Sequence, residues 1–251
     1  MRERVRYRAI STAAACFVVI AWSAAAHAYR PFDGTDADVA EPGIIEIELG
    51  PLTYVDTPDG RVLEAPALTV NAGLSRRWEW VIDATRATQR TAAAETTTIE
   101  SAALIKGILR EGSLQDAEGW SIATEFGVLL PTHNMDDSYG ASVGLIGSMQ
   151  GQRATLHLNT ALARNRDGIN ELFGSIIVEG VTDGPLRPVA ELTFEAEDGM
   201  DSHALGGLLG AICERGDTLS FDIAVRAIRA ASAWSYEGRI GFTWLFPIGR
   251  S

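Results

Sequence analysis

Cysteine is nearly absent. Cys16 and Cys213 are the only two in 251 residues, which excludes a disulfide-stapled scaffold and a multi-thiolate zinc site. Positive charge is scarce as well: 21 Lys and Arg face 33 Asp and Glu, for a formal charge of -12. With no basic groove to neutralise phosphates, nucleic acid is not an expected partner. Proline, at 9 residues, is too rare for an extended or low-complexity chain. Past the N-terminal region no apolar run reaches the ~20 residues of a transmembrane helix, and no sustained 3.6-residue period marks a capped helix. No G-x-S-x-G, H-E-x-x-H or P-loop pattern occurs, so neither an enzyme nor a cofactor is expected. What is present is apolar material, 46% of the chain.

Four Arg and one Glu fall within Met1–Arg8, followed by an apolar stretch from about Ala13 to Ala26 and by Ala26-His27-Ala28. A basic start, a short apolar core and small residues at a cleavage position form a secretory signal peptide. The expected organisation is a signal peptide over 1–28, an acidic N-terminal periplasmic segment over 29–42, a barrel over 43–248 and a short tail over 249–251.

The mature chain alternates with a period of two. Leu219, Phe221, Ile223 and Val225 interleave with Ser220, Asp222, Ala224 and Arg226, and Ala190, Leu192, Phe194 and Ala196 interleave with Glu191, Thr193, Glu195 and Glu197. Trp78, Trp80 and Ile82 alternate with Glu79, Val81 and Asp83 in the same way. On a strand such a pattern gives one apolar and one polar face. Turn residues such as Asp59-Gly60, Asp167-Gly168, Gly184-Pro185, Asp198-Gly199 and Gly216-Asp217 divide the chain into about twelve strands, a length per strand that suits a bilayer crossing. They are expected near 43–54, 61–72, 76–86, 98–109, 119–130, 139–150, 153–163, 170–181, 186–197, 203–213, 218–228 and 236–247. Pro51, Pro66 and Pro188 fall in or at the start of these strands and predict bulges or shortened pairing.

Alternation does not say which face is inner. About eight strands enclose a space that side chains can fill, whereas twelve with apolar interiors would leave an unpacked void. The predicted fold class is therefore all-β: an antiparallel up-and-down transmembrane barrel with its apolar face on lipid. A soluble two-sheet sandwich is the competing arrangement. With both termini in the periplasm, Trp78, Trp120, Trp244 and Phe246 fall at one rim and Tyr54, Tyr139, Trp234 and Tyr236 at the other, as two interfacial aromatic girdles would. The polar faces then line the lumen with Glu46, Glu48, Glu79, Asp83, Glu100, Glu125, Glu179, Glu191, Glu195, Glu197 and Asp222, with Lys106 and Arg226 as the clear cations and His157 among them. So many carboxylates against so few bases predict a wet, acidic bore that attracts cations.

Arg30-Pro31-Phe32, the acidic stretch Asp33 to Asp38, Glu41-Pro42-Gly43 before Ile45-Glu46-Ile47-Glu48-Leu49, Gly73-Leu74-Ser75-Arg76-Arg77-Trp78-Glu79 and Leu130-Pro131-Thr132 together resemble the outer-membrane family labelled MetA-pathway of phenol degradation. His133 departs from that pattern, which has Gly after Pro-Thr. The resemblance implies a transmembrane barrel in the outer membrane of a Gram-negative bacterium and, by its label, a link to aromatic compounds. Ile240-Gly241-Phe242-Thr243-Trp244-Leu245-Phe246 is similar to the C-terminal signal read by the barrel-assembly machinery, although the chain runs on to Ser251.

The functional expectation is a passive channel or importer for small molecules, aromatic or cationic ones among the candidates, with outer-membrane lipids as its surroundings. The alternatives are a non-transporting barrel blocked by its own side chains or by residues 29–42, and a soluble exported β protein. His157 with Asn159 faintly resembles the site of an outer-membrane phospholipase, against the simpler reading of a hydrogen-bonded lumen histidine. Asp33, Asp36 and Asp38 could ligate calcium but lack the distal Glu of an EF-hand, so a solvated acidic segment is the expectation there.

Overall fold

The computed structural model describes residues 30–133, 138–180, 184–198 and 203–248; the expected signal peptide and the C-terminal tail lie outside them. The alternating stretches form β1 (Ile44–Thr57), β2 (Gly60–Ser75), β3 (Trp78–Thr91), β4 (Glu95–Arg110), β5 (Ser121–His133), β6 (Gly140–Gln150), β7 (Ala154–Arg164), β8 (Asn170–Gly180), β9 (Leu186–Glu197), β10 (His203–Glu214), β11 (Leu219–Ala230) and β12 (Ala233–Pro247). Each strand pairs with its neighbour in sequence, and β1 closes on β12 to complete a barrel of twelve. All pairings are antiparallel; at the seam Ile47 faces Trp244 and Thr53 faces Arg239. Closure removes the unpaired edges that a sheet of this size would otherwise expose.

Orientation follows the period. Phe194, Phe221 and Trp80 stand on the outside, 37%, 47% and 43% exposed, while Glu191 and Asp222, on the same strands as the two phenylalanines, are 1% and 7% exposed. Leu192, Leu209 and Val225 are also outward and exposed. This is a transmembrane β-barrel: an apolar band outside, polar side chains within. Trp78, Trp244 and Phe246 are exposed near the rim that holds the termini, and Tyr54, Tyr139, Trp234 and Tyr236 near the other. Trp120 lies just before β5 and is half-buried.

The strands are longest on one side. β2 and β4 have 16 residues and β6, β7 and β8 have 11, so β1 to β4 reach further from the terminal rim than expected, joined by tight turns such as Pro58–Asp59. Pro66 sits at a register shift between Glu64 and Ala67, and Pro51 at one between Leu49 and Leu52. At Pro188 the expected disturbance takes the form of shortened pairing with β8 and not of a bulge. The β9–β10 register passes through Pro188 opposite Ala211 unshifted, and the β8–β9 ladder reaches only to Val189, so the missing N–H falls at a ladder end.

Candidate functional site

Residues Arg30–Pro42, expected as a solvated periplasmic segment with blockage of the bore as the alternative, lie among the inward side chains of the barrel. The physical reason is backbone satisfaction: an irregular segment carries N–H groups that need acceptors, and the inner carboxylates supply them. The N–H groups of Asp33 and Gly34 donate to the two oxygens of Glu191 at 2.9 and 2.8 Å. The Ala40 N–H donates to Glu79 at 2.6 Å and the Arg30 N–H to Glu48 at 3.0 Å.

Side chains complete the seating. The Arg30 guanidinium holds both oxygens of Asp222, at 3.1 and 3.2 Å, and donates to the Ile240 carbonyl at 2.8 Å. The Asp33 carboxylate meets Arg226 and, at 2.9 Å, Arg239, which also donates to the Pro31 carbonyl at 2.8 Å. Burial opposes the charge on Asp33, and Arg226 and Arg239 outweigh it, holding its carboxyl below the ordinary value. Lys106 bonds Thr35 at 3.2 Å and Asp36 at 3.1 Å, with Glu79 3.6 Å away. Phe32, 4% exposed, packs with Ile177, Val189, Leu208, Ile212 and Ala224.

Two glycines make room for this path. A Cβ on Gly34 would collide with Ser175 and Asn159, and one on Gly73 with the carbonyls of Ala40 and Glu41. There the segment leaves the bore through a parallel bridge between Pro42 and Gly73. Asn159 grips the Thr35 peptide from both sides, accepting from its N–H at 3.1 Å and donating to its carbonyl at 3.0 Å. Gln115, on the connection between β4 and β5, donates to the Ala37 carbonyl at 3.0 Å and to Asp38 at 3.1 Å.

A buried relay also runs from the segment to the rim. The Ala37 N–H donates to Ser148 Oγ at 2.8 Å, Ser148 lies 2.8 Å from His157 Nδ1, His157 Nε2 lies 3.0 Å from Glu179, and Arg187 holds the other Glu179 oxygen at 2.6 Å. Glu179 is an acceptor, so the facing Nε2–H of His157 donates to it, and Ser148 Oγ, which accepts from Ala37, faces Nδ1. The constellation resembles a hydrolase triad with its ring nitrogens exchanged, but its serine is covered by the segment.

Of the residues read as lumen-lining, Glu48, Glu79, Lys106, Glu191, Asp222 and Arg226 contact or pair with the segment, and His157 and Glu179 reach it through Ser148. Glu46 and Glu125 border a cavity of about 130 Å³ between segment and wall, shared with Asp36, Asp38 and Asn71. Asp83 accepts from Thr69 at 2.7 Å, Glu100 pairs with Arg166 at 3.4 Å, and Glu195 with Arg226 at 3.4 Å; Glu197 is half-buried near the far rim. Among the described residues no group of acidic, His or Cys side chains is arranged to hold a metal ion; Asp33, Asp36 and Asp38 turn to Arg226, Lys106 and Gln115. Sequence reasoning missed Arg239, Ser148, Arg30 and Arg187. Arg239 was within reach, since it shares the phase of Glu237 and Gly241 on a strand already recognised.

No family model matches the chain, and no curated protein is found to match it. Solved structures do. The COG4313 outer membrane channel from Pseudomonas putida F1 superposes with a TM-score of 0.65 at 9% identity, over 86% of this chain and 100% of that one. The KdgM porin in complex with disordered oligogalacturonate gives 0.55 at 10% identity, over 80% and 99%. The CymD monoaromatic hydrocarbon channel gives 0.51 at 6% identity, over 84% and 90%. At these identities the likeness shows the fold, that of outer-membrane barrels, and not a substrate.

Proposed function

We propose that this protein is an outer-membrane channel for passive entry of small molecules, held shut by residues 30–42 and opened when they withdraw. The observation that supports the reading is the segment itself: it crosses a bore whose walls are polar, and it is joined to them by hydrogen bonds and ion pairs more than by apolar packing. Polar contacts of this kind can be exchanged for water, so a withdrawn state is physically accessible. The likeness to porins and channels supports the same reading. Export through the N-terminal signal, insertion by the barrel-assembly machinery acting on Ile240–Phe246, and residence among outer-membrane lipids belong to it.

Planar-bilayer recordings on the intact mature chain and on a chain lacking residues 30–41 test it. The intact protein should conduct rarely and the truncated one continuously, with at least tenfold more mean current as an order-of-magnitude expectation for the loss of several kcal/mol of closing contacts. Absence of current through a truncated protein shown to be folded and inserted would overturn the channel. A second reading has its own support in the buried Asp33 pairs, which are costly to break: a non-transporting barrel in which the segment is a permanent core. That protein would conduct in neither form.

A further inference from the structure

Phe32 is the one aromatic residue that the segment carries into the bore, and its pocket is a local break in a polar lining. Ile177, Val189, Leu208 and Ile212 from β8, β9 and β10, with Ala224 from β11, surround the ring, and each is 5% exposed or less. One carboxylate belongs to this pocket. Glu191 stands directly opposite Ile177 on β8 and Leu208 on β10, and two positions from Val189 on its own strand, so whatever covers the apolar patch also covers Glu191. In the closed barrel that carboxylate, 1% exposed, accepts the Asp33 and Gly34 N–H groups, one on each oxygen.

These donors go when the segment goes. Water replaces them at Glu191 in an open bore, but a solute that fills the patch expels that water and must supply donors of its own, since a covered carboxylate without them is costly. The surroundings decide the charge of that solute. Arg226 keeps Glu195 and Glu237, Arg239 keeps Glu237, and Glu64 and Glu191 face the same two guanidiniums, so carboxylates still outnumber cations after Asp33 has left. Arg30 leaves with the segment too and uncovers Asp222, two positions from Ala224 on β11. An anion is repelled there and a neutral hydrocarbon ring gives Glu191 nothing, whereas an ammonium brings several N–H donors and the opposite charge.

We propose that this pocket binds arylalkyl ammonium ions, with the ring in the place of Phe32 and the ammonium on Glu191 in the place of the two backbone N–H groups. The segment itself sets the spacing: Cβ, Cα and the carbonyl carbon of Phe32 join its ring to the Asp33 nitrogen. A phenylpropyl ammonium has the same number of carbons between ring and nitrogen. The inference deepens the channel reading and rests on it in requiring that the segment can withdraw; the segment is then a built-in competitor, and solute and closure exclude one another.

The probe is 3-phenylpropylammonium, compared with propylammonium, which lacks the ring, 3-phenylpropan-1-ol, which lacks the charge, and 3-phenylpropionate, which reverses it. In the intact mature protein in micelles of an uncharged detergent, the amine should raise hydrogen exchange at the Asp33 and Gly34 amides several-fold and saturably, while each of the other solutes does less. Glu191→Gln loosens the segment for every solute, so its readout by calorimetry is the ratio of amine to alcohol affinity, which should fall on the order of tenfold. The proposal is overturned if the native protein shows no exchange response to the amine, if any of the other solutes acts as strongly, or if the ratio is unchanged in Glu191→Gln. The exchange comparison needs no variant, so a substitution that prevents folding leaves the test standing. Amine binding without current through the truncated chain would defeat the channel and keep the site; current with no preference for the amine would do the reverse.

Discussion

Where residues 30–42 meet the wall the charged side chains are sealed, and nearer the far rim members of pairs of the same chemistry stand partly in water. The Arg226, Asp222 and Glu79 side chains are 1%, 3% and 4% exposed, whereas Glu195 and Glu100 are 26% and 32% exposed. Both regions arise from the same alternating strands and the same acidic faces. What separates them is the second layer that residues 30–42 supply over the first set and that, among the described residues, does not extend over the second. Charge pattern therefore does not fix whether a bore is wet; that depends on whether the charges find partners that also displace water. A sealed pair resists salt and punishes the loss of either member, while an open pair does neither.

That contrast can be broken most forcefully at Arg226. Its replacement by Met leaves Asp33 with Arg239, and Glu237 less well neutralised, in a buried setting, and should cost about 3–5 kcal/mol in denaturant unfolding; a loss below about 1 kcal/mol would mean the region lined by residues 30–42 is wetter than its geometry. Gly34→Ala should cost about 1–3 kcal/mol, the usual penalty of overpacking, because its Cβ meets Ser175 and Asn159. That loss should be read locally, as faster exchange at residues 33–37 with the strand amides unchanged. Glu100→Gln in the far half should change stability by ~1 kcal/mol or less. Smallest of all, raising the salt should weaken the Glu100–Arg166 pair and leave the Asp33–Arg226 pair unaffected, as measured by the salt dependence of each variant's stability.

How much of this was legible without coordinates differs by kind of feature. Glu191 could be placed on the inner face from its alternation with Leu192 and Ala190, because side-chain direction on a strand is a local property. Its partners, the Asp33 and Gly34 amides, could not be read, since they lie about 158 positions away in sequence. Ser148 and His157 are paired across β6 and β7, and that pairing needs a register that alternation alone does not give. The far ends of β1 to β4 were placed too short because their turn residues continue the ladder before reversing. That Pro188 disturbs pairing could be read locally from its missing N–H, whereas the form of the disturbance, a β8–β9 ladder that stops at Val189, depends on the neighbouring strand.

The sequence by itself determined the period, and with it which residues share a face, since successive Cβ atoms alternate whatever the strand's neighbours; the number of strands then pointed the apolar face outward. Only the tertiary structure decided that the inward carboxylates are met by the chain's own N-terminal segment. Arg30 and Asp222 are 192 positions apart, and nothing within either neighbourhood distinguishes a carboxylate that will be hydrated from one that will be sealed. Closure of the ring brings the acceptors of many strands around one volume, and the segment fills it because its unpaired N–H groups and charges find there the partners that no single strand could offer.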